Sequence, residues 1–320
     1  MSSEAVSGRQ QAAASIRAVI VAEWMEKRAM IEAAIEKVVA ELGDSGLPEV
    51  ASYLAAGGKR FRGFLTLLAA EALGGRAEDA LDAAVAVELV QAASLAIDDI
   101  IDGDEYRRGR RAAHLVHGVA KTVLASLLLI PVSQRLVEKL GFKALYHVIR
   151  AWENTVRGEI LDAFLAELVP ADRYLEVSRL KTGSLFRLSL ILGALSANAD
   201  QETVEKLGRY GDLLGIIYQL ADDIADYKNS QKGSGKKKEP GLALFEKWAK
   251  TRHPQARDPA EAALEDLAQH IRAAKAIIES LNLAREKAII LEHIPEFMAE
   301  KMLEEAGLHV KLALLLQGKD

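Results

Sequence analysis

Residues 81–102 read LDAAVAVELVQAASLAIDDIID. Seventeen residues dominated by alanine, valine and leucine lead straight into aspartates at 98, 99 and 102. The apolar run suits a long buried helix, and residues four apart on a helix share a face with Cβ atoms about 6 Å apart. Asp98 and Asp102 therefore converge. Carboxylates gathered at the C-terminal end of an apolar helix repel one another and oppose the helix dipole. They call for a positive partner.

The pattern returns at residues 210–226, YGDLLGIIYQLADDIAD, where Asp222 and Asp226 share a face and Asp223 lies beside them. A single motif reads equally as a solvated helix end. Two copies, each closing an apolar helix, point instead to hard oxygen ligands for Mg2+, an ion that keeps several waters and commonly bridges carboxylate to phosphate. Neither copy has the alternating ligands and closing glutamate of a calcium-binding helix–loop–helix. At about 100° per residue, Gln91, Ser94, Leu95, Asp98 and Asp102 form one stripe. Gly208, Gly211, Gly215, Gln219, Asp222 and Asp226 form a second. Glycines cost helix stability, so this stripe serves either close helix packing or room for a ligand.

The rest of the 320-residue chain also reads as helix, which predicts an all-α protein. Breaks are expected at Gly43–Pro48, Gly74–Gly75, Gly103–Arg111, Pro170–Asp172, Asn198–Asp200, Asn229–Gly241 and His253–Pro259. No spacer demands a second domain, so residues 16–320 are expected to form one helical domain behind a flexible polar tail, residues 1–15. The Lys-, Ser- and Gly-rich stretch Lys228–Pro240 is expected to be a mobile loop. No strand or hairpin signal stands out. A net charge of −5 argues against a nucleic-acid binder. The absence of cysteine excludes disulfides and thiolate chemistry and fits a reducing cytoplasm. The N-terminus has no apolar signal core. The apolar stretch Thr122–Val132 is too short to span a bilayer, so no transmembrane segment is expected.

Basic groups complete the set. Gly57-Gly58-Lys59-Arg60-Phe61-Arg62 precedes an apolar helix and suits anion capture at its N-terminus. Arg107-Arg108-Gly109 follows the first aspartates, and Lys181-Thr182-Gly183 lies in another apolar helix. Together with GEILD at Gly158–Asp162, KTGSLF and YQLADDIAD, these segments follow one another from Gly57 to Asp226 in the order found in the trans-polyprenyl diphosphate synthases, which include farnesyl and geranylgeranyl diphosphate synthases. The chain resembles that family over about half its length. The resemblance implies a homodimer of isoprenoid-synthase-type helical bundles, each around a deep apolar pocket. It implies an enzyme that condenses isopentenyl diphosphate with an allylic diphosphate.

By the same resemblance, Asp98, Asp102 and Asp222 would bind three Mg2+ ions on the allylic diphosphate, supported by Asp99, Asp223 and Asp226. Arg107, Lys181 and Gln219 would hold that diphosphate. Lys59, Arg62, Gln91 and Arg108 would grip isopentenyl diphosphate. The Lys181–Thr182 backbone and Gln219 would turn dipoles toward the allylic cation. Gln91 stands where many members have histidine, Gly63 where many have proline, Ile97 where many have histidine, and Ser126-Leu127 where Gly-Asp is usual. Lys232, Lys236 or a neighbour would supply the loop's diphosphate contact.

Product length is expected to follow the first helix. Its rise places Ala93 about 7.5 Å below Asp98, and Ala93 and Ser94 occupy positions where bulky aromatics stop chain growth in the family. Both are small, which implies geranylgeranyl diphosphate or a longer product. A non-catalytic subunit of a hetero-oligomeric synthase would be expected to lose aspartates or the basic grip. A terpene cyclase would carry a different second motif. Neither pattern is present.

Overall fold

The structure, a computed structural model, describes residues 3–43, 46–231 and 240–318, with side chains described for 15–43, 46–231 and 241–318. Helix α1 (Ser3–Ala40) begins within the stretch expected to be a tail, and α2 (Leu47–Ala55) and α3 (Phe61–Ala72) follow it. Helix α4 (Leu81–Asp102) carries the first aspartates on its last turn, and Gly103, at φ 68, ends it in the left-handed region that glycine adopts without strain.

After α4 the chain makes a feature the sequence reading missed. Tyr106–Arg107 (β1) pairs antiparallel with Arg110–Arg111 (β2). Arg108 and Gly109, at φ 54 and 74, make the tight turn between them. Two-residue strands are too short for alternation to be read. The hairpin turns Arg107 and Arg108 back toward α4.

Helices α5 (Ala113–His117), α6 (Val119–Val137) and α7 (Phe142–Glu159) come next. Helix α7 runs into a π-helical turn, Ile160–Phe164. After α8 (Tyr174–Ser178), a second π-helical turn, Arg179–Gly183, leads into α9 (Ser184–Ser196). The KTG segment thus sits in a widened turn rather than in regular helix. Such turns recur at functional sites. Helix α10 (Gln201–Gln231) carries the second aspartates, and α11 (Pro240–Arg252), α12 (Pro259–Glu279), α13 (Arg285–Leu303) and α14 (His309–Leu316) close the chain. The expected loop at Lys228–Pro240 is helical as far as Gln231, with Lys228 bonded to Asp258 at 2.6 Å. Its remainder, with Lys232 and Lys236, lies outside the described residues.

Two apolar cores meet at α9. Leu185, Leu188 and Leu192 join the core built on α4 and α6, while Phe186, Leu190 and Ile191 join the core of α10, α12 and α13. Burial on both sides makes α9 a wall between α4 and α10, the two helices with the aspartates. Glycine allows the approach. A Cβ at Gly215 would stand 2.1 Å from Gly183 Cα, and one at Gly211 would stand 2.6 Å from Arg187 Cα. The glycine stripe on α10 therefore serves helix packing.

Among the described residues two helices, Glu78–Asp102 and Val119–Leu140, are long and apolar enough to cross a membrane. The sequence reading, which weighed only Thr122–Val132, overlooked the first. Its apolar window is 72% buried inside the protein, against 33% for the second.

Candidate active site

The first wall of the cleft is α4 and the π turns. Arg107 Nε donates to Asp99 Oδ1 at 2.5 Å, and its NH2 group donates to Asp104 at 2.9 Å. Asp99 is buried, so the middle carboxylate of the motif anchors an arginine rather than facing the cleft. Asp98 behaves differently. Burial, reinforced by the nearby charges of Glu159 and Asp102, pushes its carboxyl up to about 7 despite Lys181 and Arg107. Lys181 binds Asp162 at 2.5 Å and Glu159 at 3.0 Å. Burial opposes its charge, but Asp162, Glu159 and Asp98 outweigh that and hold its pKa above that of ordinary lysine. One ammonium thus answers several crowded carboxylates.

The position of Lys181 depends on a backbone contact. A Cβ at Gly158 would lie 2.2 Å from the Lys181 amide nitrogen. The end of α7 and the Arg179–Gly183 turn pack backbone to backbone there, which sets Glu159 and Asp162 beside Lys181. The sequence reading quoted GEILD but gave its acids no role. Two carboxylates three residues apart within Gly158–Asp162 are individually unremarkable, and only this packing joins them to the lysine.

The second wall is α10. Asp223 is buried and accepts from Tyr174 Oη at 2.5 Å and from Gln219 Nε2 at 3.2 Å. Burial pushes its carboxyl up, with Asp222 and Asp162 adding to the effect, while the hydrogen bonds from Tyr174 and Gln219 favour its ionised form. Gln219 Oε1 accepts from Thr182 Oγ1 at 2.8 Å. The structure thereby joins Thr182, Gln219 and Asp223, residues the sequence placed together by resemblance, and adds Tyr174, which lay outside every motif. Asp222 is partly buried and Asp226 exposed. The negative charge of Asp222 raises the Tyr218 pKa on top of burial.

The basic groups form a separate cluster under the hairpin. Arg108 NH1 donates to the Ala56 carbonyl at 2.9 Å. A Cβ at Gly58 would lie 2.6 Å from Arg60 NH1 and 3.1 Å from Arg108 NH1, so glycine leaves room for these guanidiniums to converge. Arg60 is 1% exposed and pairs with Glu32 at 2.7 Å and Glu88 at 3.6 Å. It serves the fold. Lys59 is exposed, and Arg62 lies with its guanidinium 4.4 Å from the centre of the Phe186 ring. Buried nitrogens of Arg60, Arg62 and Arg110 have no hydrogen-bond partner. Unsatisfied guanidinium donors in a group mark a place for an anion. A cavity of about 30 Å³ between α2, α4 and the hairpin borders this cluster.

Among the described residues no three carboxylates or imidazoles converge closely enough to cage a metal unaided. The donor set still fits a hard cation whose shell is completed by phosphate and water. Burial, with the neighbouring carboxylates adding to it, raises the Asp98 pKa, and a divalent ion would relieve both.

The model of the polyprenyl synthetases matches residues 44–243, which include both walls and the basic cluster. This chain belongs to the polyprenyl synthetase family. It is 38% identical over 213 residues to a hexaprenyl pyrophosphate synthase of Saccharolobus solfataricus, covering 66% of this chain and 74% of that one. It is 33% identical over 226 residues to a geranylgeranyl diphosphate synthase of Methanosarcina mazei, covering 68% and 70%. The solved geranylgeranyl pyrophosphate synthetase of Geoglobus acetivorans superposes with a TM-score of 0.72 at 27% identity, covering 86% of this chain and 99% of the other. The synthetase fold is therefore all-α, as the sequence led us to expect, and the chain is an enzyme of the prenyl diphosphate synthase kind.

Ser94 lies one helical turn below Asp98 on the cleft side, flanked by the half-open Gln91 and Leu95, and its hydroxyl is returned to the Gln91 carbonyl at 3.0 Å. Ala93 is fully buried in the core that α4 shares with α6. The two neighbours therefore stand in different surroundings.

Proposed function

We propose that this chain is a trans-prenyltransferase that joins isopentenyl diphosphate to an allylic diphosphate and releases geranylgeranyl diphosphate or a longer product. What supports this reading is the presence of two groups of charged side chains, each suited to a diphosphate. The aspartates with Arg107 and Lys181 form one, and the guanidinium cluster around Gly58 forms the other. A cyclase needs only the first. The names of the relatives, which span geranylgeranyl to hexaprenyl and nonaprenyl products, support the product range.

Asp98, Asp102 and Asp222 would hold Mg2+, three ions by the family pattern, with Asp226 at the rim. Magnesium would supply charge stabilisation to the departing diphosphate. Asp99 fixes Arg107 and Asp223 fixes Gln219, which is how the two middle aspartates support the site. Lys181 and Arg107 bind the allylic diphosphate in competition with their present carboxylate partners. Lys59, Arg62, Gln91 and Arg108 orient isopentenyl diphosphate so that its double bond faces the allylic carbon. Thr182 and Gln219 turn oxygen dipoles toward the cation, and the apolar walls of α4 and α9 keep water from it. The released diphosphate takes the proton.

The homodimer is part of this proposal. Helices α6 and α7 and the turn after them expose Leu124, Leu127, Ile149, Val156, Ile160 and Phe164. Such an apolar face suits a second copy of the chain. A reducing cytoplasm suits a protein without cysteine.

Calorimetric titration with isopentenyl diphosphate and with a non-ionising allylic thiodiphosphate tests the reading. Both should bind together, with only the allylic analogue requiring Mg2+ together with Asp98 and Asp222. Mutually exclusive binding would overturn it.

A further inference from the structure

Tyr174 lies outside every motif, yet it ends a hydrogen-bond chain that reaches the reacting region. Its ring is 2% exposed, packed 4.9 Å from Trp248 and 5.7 Å from Phe245, centre to centre. Its hydroxyl donates to Asp223 Oδ2, Gln219 Nε2 donates to Asp223 Oδ1, and Thr182 Oγ1 donates to Gln219 Oε1. All three hydrogens run the same way, toward the Asp223 carboxyl group.

The donor inventory gives that direction a consequence. An amide nitrogen only donates and its oxygen only accepts, while a threonine hydroxyl has one hydrogen and two lone pairs. With its nitrogen turned to Asp223, Gln219 shows Thr182 an oxygen. Thr182 must then commit its one hydrogen to Gln219. Only lone pairs remain for whatever occupies the cleft beside Lys181. If the amide were reversed, its nitrogen would face Thr182 and free that hydrogen. Two positive dipole ends would then lie near a developing cation, where they would destabilise it.

The geometry points to Tyr174 as a positioning residue that, through Asp223 and Gln219, leaves Thr182 only its lone pairs to present to an allylic cation. This rests on the prenyl-transfer reading. The wedge is mechanical as well as polar. The Tyr174 ring is held by Trp248 and Phe245 from α11, so its hydroxyl keeps Oδ2 occupied and Oδ1 turned to the Gln219 amide.

The test uses the full chain and the variants Tyr174→Phe, Thr182→Val, Thr182→Ser and the Tyr174→Phe, Thr182→Val double. Turnover is measured for each. Calorimetry follows binding of two allylic diphosphate analogues, one with an ammonium in place of the cation and one with a neutral isostere. Tyr174→Phe and Thr182→Val should each lower kcat about 10- to 100-fold, as expected for one charge-assisted contact, with little change in KM for isopentenyl diphosphate. The double variant should lose no more than Thr182→Val alone, and Thr182→Ser should restore part of the loss. Tyr174→Phe should weaken the ammonium analogue about tenfold and spare the neutral one. Losses that multiply in the double variant, equal weakening of both analogues, or no rescue by serine would overturn the proposal. If Tyr174→Phe fails to accumulate folded, Asp223→Asn takes its place. Its amide should reverse Gln219 and remove the preference for the ammonium analogue; a retained preference overturns the proposal. A parent protein that prefers the ammonium analogue but shows no turnover would defeat the prenyl-transfer reading and leave the relay standing.

Discussion

Replacing Asp98 by asparagine should make the metal-free protein more stable at neutral and alkaline pH. Asp98 sits among Glu159, Asp102 and Asp162 with Lys181 as their shared cation, and its carboxyl is raised from 3.8 to about 7. A carboxyl with a higher pKa in the folded state holds its proton more tightly there, so its ionisation destabilises the fold. The cost is absent below pH 3.8, grows as pH rises, and is complete above about pH 7. The gap between 3.8 and about 7, at roughly 1.36 kcal/mol per pH unit, sets a ceiling of about 4 kcal/mol. Asp98 is only partly buried, so water screens part of this and the expected gain is roughly 1–2 kcal/mol. Urea denaturation in the presence of a chelator, at pH 5 and pH 8, measures it. The parent should lose stability relative to Asp98→Asn between those values. A variant less stable than the parent at pH 8, or a gain that persists unchanged on acidification, would refute the electrostatic account of this wall.

Other perturbations separate the remaining parts of the site. Gly215→Ala puts a methyl 2.1 Å from Gly183 Cα and should cost about 1–3 kcal/mol or more and sharply reduce turnover, whereas Gly208→Ala meets only the end of the Arg187 side chain at 3.0 Å and should be milder. Thermal melting and turnover of the pair would check this. Ser94→Phe should shorten the product with activity retained, while Ala93→Phe should chiefly destabilise the α4–α6 core, as product sizing and melting would report. Lys59→Ala should raise KM for isopentenyl diphosphate about 10- to 100-fold, and Arg107→Ala should act mainly on the allylic substrate, each by loss of a charge-assisted contact. Steady-state kinetics with both substrates varied would decide.

The aspartate helices were legible because their signal is local: an apolar run closed by carboxylates four apart. The order of GGKRFR, the two DDxxD motifs and KTG carried the family, and the family carried the fold. What stayed hidden depends on distant parts of the chain. Arg60 differs from Lys59 and Arg62 only in the direction the backbone gives it, at φ 54, which turns it toward Glu32 and Glu88. Glu159 and Asp162 gain their meaning from the contact of Gly158 with Lys181. Tyr174 reaches Asp223 across 49 residues of sequence, and a lone tyrosine just after a helix break gives no warning of that. The glycine stripe left two readings open until Gly183 and Arg187 were found against it.

Turnover by the purified chain alone tests the central claim most directly. The protein is incubated with Mg2+, labelled isopentenyl diphosphate and each allylic primer in turn, and the products are sized. The account predicts Mg2+-dependent formation of geranylgeranyl diphosphate or longer chains, lost in Asp98→Ala and Asp222→Ala. No incorporation of label with any primer, by a folded protein that binds both diphosphates, would contradict it.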